Sequence, residues 1–190
     1  MRVVAGIWRG RRIQAPRGTD TRPTSDRVRE AIMSAVVSRF GTLEGVRALD
    51  LYAGSGALGI EALSRGAAHV TFVDRDRRAA GVIRANLAAV GAATETYSVV
   101  CADVTRLVGA AQVAGGVSLL FADPPYRIDA AEVSHILEVL AGSGALDGGT
   151  LVVYEHARDM AMIWPAGFAG EQERLYGDTG VSLARFEGGL

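Results

Sequence analysis

The chain has 190 residues, of which 49% are hydrophobic, enough to bury the core of one domain. It contains no apolar run approaching the ~18 residues of a membrane span, and its first residues, MRVVAGIWRGRR, lack the apolar stretch of a signal peptide. The single cysteine, Cys101, excludes an internal disulfide and a cysteine-rich zinc site, and we expect it to be a buried thiol. These properties predict a cytoplasmic protein that binds neither a membrane nor a metal.

The charges are unevenly distributed along the chain, although the net charge is only −1. Residues 1–30 hold eight arginines and three acids, whereas the remaining residues hold 12 basic and 18 acidic groups. A basic segment on an acidic body is the pattern expected for contact with nucleic-acid phosphates. Residues 1–22 therefore predict a basic arm for RNA, with these candidate contacts: Arg2, Trp8, Arg9, Arg11, Arg12 and Arg22. A solvated tail, a hairpin-core role for Trp8 and a structural role for Arg22 and Arg29 are the alternatives.

Two elements are predicted before residue 46. Residues 2–5 and 11–15 resemble short strands around Gly6 and Gly10, and indicate a β-hairpin. A helix then begins near Thr24 or Ser25, either of which can cap it, and ends near Gly41. Its helical spacing is carried by Val28, Ile32, Ala35 and Val36.

From residue 46 onward, strand-like and helical segments alternate. The strand-like runs are 46–52, 68–73, 97–101, 117–122 and 150–154, and the helical segments are 57–66, 76–90, 103–112 and 130–141. Alternation with short connections predicts right-handed crossovers and a mostly parallel sheet that is covered on both faces. Two last strand-like pieces, EQERLYG and VSLARFE, flank Asp178-Thr179-Gly180 and predict a hairpin at the edge of the sheet.

The segment DLYAGSGALG, residues 50–59, lies where the first strand gives way to a helix. Its glycines allow a tight turn and a close approach of ligand, and GSGALG fits the G-x-G-x-x-G pattern of dinucleotide sites. An NAD-dependent oxidoreductase is therefore one interpretation. Asp50 argues against it, because a carboxylate repels a pyrophosphate but attracts the ammonium group of an amino-acid ligand. The spacing D-x-x-x-G-S-G resembles motif I of S-adenosylmethionine-dependent methyltransferases.

Acidic residues also follow the next strands. Asp74 can accept both hydroxyls of a ribose. Asp103, with the backbone N–H of Val104, can bind an adenine edge, although a helix-capping role suits Asp103 equally well. Because parallel strands end at one edge of the sheet, these acids should converge there with Asp50 and Asp123. The predicted cofactor contacts are Asp50, Tyr52, Ala53, Gly54, Ser55, Gly56, Asp74, Arg75, Asp103, Val104 and Asp123.

The most informative segment is Asp123-Pro124-Pro125-Tyr126, which follows the apolar run 117–122. The two prolines end the strand and stiffen the turn. The Asp123 carboxylate and the Pro124 carbonyl can then accept hydrogen bonds from an exocyclic amine, and Tyr126 offers a flat face for stacking. This arrangement suits methyl transfer to an amino group of an extruded base, with Asp123, Pro124, Pro125 and Tyr126 as catalytic residues. A proline turn without a function is the alternative.

Several strings in order, RVVAGIWRGRRI, RPTSDRVREAIMS, LDLYAGSGALGIEALSRGA and FADPPY, resemble the RsmD-type family of bacterial 16S rRNA guanine-N2 methyltransferases over nearly the whole chain. The resemblance implies an α/β class I methyltransferase (Rossmann-like) fold. Its seven-stranded, mostly parallel sheet would have the order 3-2-1-4-5-7-6 with strand 7 antiparallel. The methyltransferase domain would span residues 23–190, behind the short N-terminal hairpin.

The resemblance also implies a reaction and its participants. S-adenosylmethionine would donate a methyl group, without a metal, to the N2 amine of one guanine in 16S rRNA, and S-adenosylhomocysteine would be the product. The substrate would be the 30S subunit or an assembly intermediate, and we expect a monomer. An adenine-N6 DNA methyltransferase, a protein-glutamine methyltransferase and a non-enzymatic RNA-binding factor remain open as alternatives.

Overall fold

The structure is a computed structural model and describes residues 1–16, 26–106, 113, 116–125, 128–160 and 162–188. Within these ranges the helices are α1 (Asp26–Phe40), α2 (Ala57–Ser64), α3 (Arg77–Val90) and α4 (Ala130–Gly142). The strands are β1 (Arg47–Leu51), β2 (His69–Asp74), β3 (Tyr97–Cys101), β4 (Val117–Ala122), β5 (Leu146–Ala157), β6 (Phe168–Tyr176) and β7 (Thr179–Phe186). Short 3₁₀ turns cover Thr94–Thr96 and Val104–Arg106. None of the helices in the described ranges combines the length and the apolar character needed to cross a bilayer.

The strands form one sheet in the order β3-β2-β1-β4-β5-β7-β6. The pairs from β3 to β5 are parallel, and β7 runs antiparallel to both β5 and β6. The predicted fold class, the strand order and the antiparallel β7 are therefore confirmed. Strands β1 to β5 all end at the same side of the sheet, which we call the carboxyl edge.

Three expectations need adjustment. Strand β5 begins four residues earlier and ends three residues later than predicted, because it pairs with both β4 and β7. Of the helix predicted over residues 103–112, the described part is only the 3₁₀ turn Val104–Arg106, and the predicted cap at Thr24 or Ser25 lies outside the described residues. The prediction of a buried Cys101 is wrong, because this residue ends the edge strand β3 and is exposed.

The two faces of the sheet bury separate apolar clusters, as the alternation of side chains along a strand requires. On β4, Leu119 and Phe121 belong to one cluster, whereas Leu120 and Ala122 belong to the other. The first cluster is covered by α1, α2, α3 and the N-terminal segment, and the second by α4.

The N-terminal segment forms the predicted hairpin and packs on the body of the protein. Val3 N–H donates to the Arg11 carbonyl at 2.9 Å, and Arg2 forms a bridge with Arg12. Val3 and Ile13 are at most 3% exposed within the first core cluster. The turn of the hairpin approaches the end of α2 so closely that a Cβ on Gly6 would lie 1.8 Å from the Ser64 carbonyl oxygen.

A buried ion pair joins the hairpin, α1 and α2. Arg29 and Glu61 both have fully buried side chains, and Arg29 Nε lies 3.6 Å from Glu61 Oε1. Arg29 Nη2 also donates to the Arg2 carbonyl and to Asp26 Oδ1, both at 2.7 Å, and Glu61 Oε1 accepts from Val4 N–H. The structural alternative for Arg29 is therefore confirmed.

Replacing Arg29 by methionine should strongly destabilise the fold, because the buried Glu61 carboxylate would lose one of its two counter-charges and keep only Arg65, whose Nε lies 3.4 Å from Glu61 Oε2. We expect the free energy of unfolding in urea to fall by about 3–5 kcal/mol. Arg27→Met, at an exposed position of the same helix, is the matched control and should change it by no more than about 0.5 kcal/mol. Equal effects of the two substitutions would contradict the role of the buried pair.

Candidate active site

The glycine loop between β1 and α2 lies at the carboxyl edge, between β2 and α3. Ala53 N–H donates to the Val73 carbonyl at 3.0 Å, and Asn86 Nδ2 donates to the Ser55 carbonyl at 2.9 Å. Gly54 has a φ of 55°, and a Cβ there would meet only the Tyr52 carbonyl, at 3.8 Å. The backbone at Gly54 therefore borders open space that a ligand can enter.

Asp50, at the end of β1, is 1% exposed. Its Oδ2 accepts a hydrogen bond of 3.0 Å from Gly59 N–H, which fixes the start of α2 relative to β1. Burial raises the pKa of Asp50 well above its ordinary value, the Gly59 hydrogen bond opposes this shift, and the nearby carboxylates of Asp123 and Asp74 add to it. Asp74 and Asp123 therefore lie close enough to Asp50 to disfavour its negative charge, and a cationic ligand would relieve this repulsion.

Asp74, at the end of β2, is ordered by the backbone around it. Its Oδ2 accepts from Gly54 N–H and its Oδ1 from Asp76 N–H, both at 2.8 Å. These bonds connect the carboxylate to the glycine loop and to the start of α3. Each oxygen keeps a further lone pair with which it can accept a hydroxyl group.

A cleft at the carboxyl edge is lined by residues that follow β1, β2, β3 and β4. Its lining includes five predicted site residues: Tyr52, Arg75, Asp103, Val104 and Pro125. Asp103 Oδ1 accepts from both the N–H and the hydroxyl of Thr105, at 3.1 and 2.8 Å, and these bonds lower the pKa of Asp103. Thus Asp103 is a capping residue, as in the alternative interpretation, and is also an anion at the wall of the cleft.

Sequence reasoning missed three residues of this cleft: Thr105, Ile128 and Glu132. Glu132 follows the N-cap Asp129, whose side chain accepts from Glu132 N–H at 2.8 Å. That spacing signals a helix start, but it does not indicate which way the side chain of Glu132 faces.

Tyr52 links the cleft to the glycine loop. It is the one non-glycine in the described ranges with a positive φ, 56°. Its hydroxyl is buried and has no hydrogen-bond partner among the described residues. Burial, followed by the carboxylates of Glu132 and Asp103, raises the pKa of Tyr52. A neutral hydroxyl is therefore available to a ligand, and a strained backbone beside it is common at functional sites.

The Asp-Pro-Pro segment begins where β4 ends, next to β1. Leu51 pairs with Ala122 across these strands, so Tyr52 and Asp123 follow the ends of neighbouring strands. Pro124 is buried and Asp123 partly buried, and the Pro125 carbonyl accepts from Ile128 N–H at 2.9 Å. Tyr126, predicted to stack on the base, lies outside the described residues.

The predicted RNA contacts differ in their surroundings. Arg9 and Arg12 are exposed, Arg2 lies 3.8 Å from Asp26, and Arg11 Nη1 donates to the Val90 carbonyl at 2.7 Å. Trp8 is half-buried against the first core cluster. This agrees with the alternative interpretation, in which Trp8 packs in the core of the hairpin. Arg22 lies outside the described residues.

His156 has a packing role. It is 2% exposed, its Nε2 lies 2.8 Å from Ser182 Oγ and its ring stacks on Tyr154. Over the described part of the chain, no cluster of His, Cys, Asp or Glu has an arrangement that could hold a metal ion.

The strand order, the glycine loop after β1 and the acids at the following strand ends define a class I methyltransferase fold. A family model described as "Conserved hypothetical protein 95" matches residues 1–185. The chain belongs to this family, which is the RsmD-type family of methyltransferases.

Individual relatives cover the same length. The Bacillus subtilis protein YlbH, provisionally named as an rRNA methyltransferase, is 37% identical over 190 residues, 99% of this chain and 100% of its own. "Ribosomal RNA small subunit methyltransferase D" of Escherichia coli is 31% identical over 98% of this chain and 90% of its own. The solved structure of Escherichia coli yhhF superposes with a TM-score of 0.82 and 31% identity, covering 100% and 99% of the two chains. These matches favour the methyltransferase prediction over the oxidoreductase.

The fold extends to more distant enzymes. Magnesium protoporphyrin IX methyltransferase from Synechocystis, solved with bound S-adenosylmethionine, superposes with a TM-score of 0.64 over 84% of this chain and 78% of its own, at 17% identity. At that identity the likeness concerns the fold alone.

A methyl group added at Gly59, the third glycine of GSGALG, should destabilise the protein. The Cβ of Gly59→Ala would lie 2.3 Å from the ring of the fully buried Phe72 and 2.8 Å from Val70 Cγ1. We expect the free energy of unfolding to fall by about 1–3 kcal/mol. In Gly81→Ala, the added Cβ of an exposed α3 residue meets no atom of the described residues within 4 Å, and the free energy of unfolding should rise by about 0.5–1 kcal/mol. If both variants gained stability, the close packing of α2 on β2 would be disproved.

Neutralising Asp50 should stabilise the ligand-free protein at neutral pH. The pKa of Asp50 is raised in the folded state, so the wild type loses stability as pH rises from about 4, the ordinary aspartate value, through the raised pKa. Asp50→Asn keeps an acceptor for Gly59 N–H without the charge. Its free energy of unfolding should exceed that of the wild type at pH 7, and the difference should disappear towards pH 4. A difference that does not depend on pH would contradict this account.

Proposed function

We propose that this protein transfers a methyl group from S-adenosylmethionine to the exocyclic N2 amine of one guanine in 16S rRNA, on the 30S subunit or an assembly intermediate. The observation that carries the proposal is the position of the Asp-Pro-Pro segment. It begins at the end of β4, beside the β1 end that carries Asp50 and Tyr52. Full-length similarity to proteins named as small-subunit rRNA methyltransferases supports the choice of substrate.

The described residues fit this cofactor. The carboxylates of Asp123 and Asp74 raise the pKa of the buried Asp50 and so disfavour its charge, which suits a ligand bearing an ammonium and a sulfonium group. Asp74 would hold the ribose and Asp103 the adenine amine, while Tyr52, Arg75 and Val104 border the same cleft. Ala53, Gly54, Ser55 and Gly56 would follow the methionine portion. The sulfonium of the bound cofactor supplies an already activated methyl group, so no step calls for a metal.

The contribution of the protein is to position a poor nucleophile. The lone pair of the guanine N2 is delocalised into the ring. Hydrogen bonds from N2–H to the Asp123 carboxylate and the Pro124 carbonyl would favour a pyramidal nitrogen and direct its lone pair at the methyl group. Among the described residues none donates to the Pro124 carbonyl, whereas that of Pro125 is engaged by Ile128. Tyr126 would stack on the extruded base, and Asp123 would receive the proton after transfer.

The hairpin would provide RNA contacts. We assign residues 1–22 to an RNA-binding arm and residues 23–190 to the methyltransferase domain, acting as a cytoplasmic monomer. Arg2, Trp8, Arg9, Arg11, Arg12 and Arg22 remain its proposed contacts. Because Val3 and Ile13 belong to the core, deleting the arm would damage the fold. Substitution of the exposed Arg12 is the cleaner test of RNA binding.

Labelled methyl transfer tests the reaction, the base and the atom together. The protein is incubated with labelled S-adenosylmethionine and small-subunit particles from cells that lack it, and the modified nucleoside is then identified. A single N2-methylguanosine is expected. Methyladenine would instead indicate an adenine-N6 methyltransferase, and label in protein would indicate a protein methyltransferase. No transfer to particles, to deproteinised rRNA or to DNA would disprove a nucleic-acid substrate.

Asp123→Ala should reduce methyl transfer by about 10²–10³-fold or more, because the amine loses a charged acceptor in the transition state. Cofactor binding, measured by calorimetry, should fall far less than turnover, because Asp50 and Asp74 remain to bind the cofactor. Asp147→Ala removes an exposed acid at the start of β5, at the opposite edge, and should keep full activity. Near-normal turnover of Asp123→Ala would eliminate this residue from the mechanism.

A further inference from the structure

Helix α3 carries positive charge and contains no acid of its own, although the acidic N-cap Asp76 precedes it. Its sequence, RRAAGVIRANLAAV, contains Arg77, Arg78 and Arg84 and no aspartate or glutamate. All three arginines are exposed. The first 16 residues of the chain likewise contain four arginines and no acid.

The hairpin and α3 form one continuous surface, which we call the hairpin–α3 face (residues 1–16 and 77–90). Arg11 Nη1 reaches the Val90 carbonyl at the end of α3, at 2.7 Å. Gln14 and Asn86 exchange two hydrogen bonds, from Gln14 N–H to Asn86 Oδ1 at 2.8 Å and from Asn86 Nδ2 to the Gln14 carbonyl at 2.9 Å. The two sets of arginines are therefore held in a fixed relation.

Most of the charge on this face is not neutralised within the part of the chain that the structure describes, although Arg2 pairs with Asp26. There, Arg9, Arg12, Arg77 and Arg78 form no ion pair, whereas Arg39 and Arg185 on another part of the surface both bind Glu171. On the opposite face of the sheet, α4 has the reverse composition, with Glu132 and Glu138 and no arginine or lysine. The molecule therefore has one basic and one acidic helical face.

We propose that the phosphate backbone of the RNA substrate crosses the hairpin–α3 face, with Arg77 and Arg78 as phosphate contacts. Both begin α3, directly after the carboxyl end of β2, so they lie at the edge of the sheet where the site is. The acidic α4 face would be turned away from the RNA, since like charges repel. The inference rests on the proposed function and extends its RNA contacts from the arm to the methyltransferase domain.

The test compares two variants with the same change in net charge. Arg77→Gln/Arg78→Gln removes two positive charges from the hairpin–α3 face, and Arg174→Glu makes an equal change at an exposed position of the outer strand β6. Binding to small-subunit particles and to deproteinised 16S rRNA is measured over a series of salt concentrations. Melting temperature and S-adenosylmethionine binding report whether each variant is folded.

The double variant should bind RNA at least tenfold more weakly. The slope of log K against log salt should fall by about 1.4, because each phosphate that an arginine neutralises on a single strand adds roughly 0.7 to it. Arg174→Glu should keep the slope of the wild type. An unchanged slope in the double variant, or equally weakened binding by both variants, would overturn the inference.

Two further outcomes distinguish a failure of this inference from a failure of the proposed function. Weaker binding to particles with unchanged binding to deproteinised rRNA would mean that the face contacts a ribosomal protein, and would also overturn it. Failure of the wild type to bind either RNA form would remove the proposed function itself, whatever the variants do.

Discussion

The arrangement of the N-terminal half depends on the desolvated pair Arg29 and Glu61. A buried ion pair is less costly when further hydrogen bonds accompany it. Here the additional partners include the Arg2 carbonyl, Asp26, Val4 N–H and Arg65. Hairpin, α1 and α2 are therefore positioned by one set of mutually dependent bonds.

The hairpin also contacts the glycine loop directly. Met1 Sδ lies 3.6 Å from Ser55 Oγ, and Asn86 binds both the Ser55 carbonyl and the exit of the hairpin at Gln14. The hairpin (residues 1–16) and the proposed cofactor loop are thus joined by direct contacts. A displacement of the hairpin would be transmitted to the loop through these packed atoms.

The sequence predicted the features that depend on local pattern. Apolar runs located the strands, and acids or glycines just after them located the carboxyl edge, because the connections of parallel strands fix that edge. It could not predict which way Glu132 faces, since this depends on how α4 packs on β4 and β5. The exposure of Cys101 was missed because its burial was inferred from the residue type alone, although the expected strand order places the third strand at the edge of the sheet.

The packing of the hairpin has a consequence for the order in which the protein can fold. The hairpin is synthesised before α3, yet it is held in place by Arg11, which donates to the Val90 carbonyl at the end of α3, and by Gln14, which donates to Asn86. Neither of its short strands belongs to the main sheet, and an isolated two-stranded hairpin is at best marginally stable in water. During synthesis, the arginines of the hairpin therefore acquire fixed positions only after α3 has been synthesised. A nascent chain arrested before α3 would carry all the arginines of the hairpin, but these arginines would not yet be held in fixed positions.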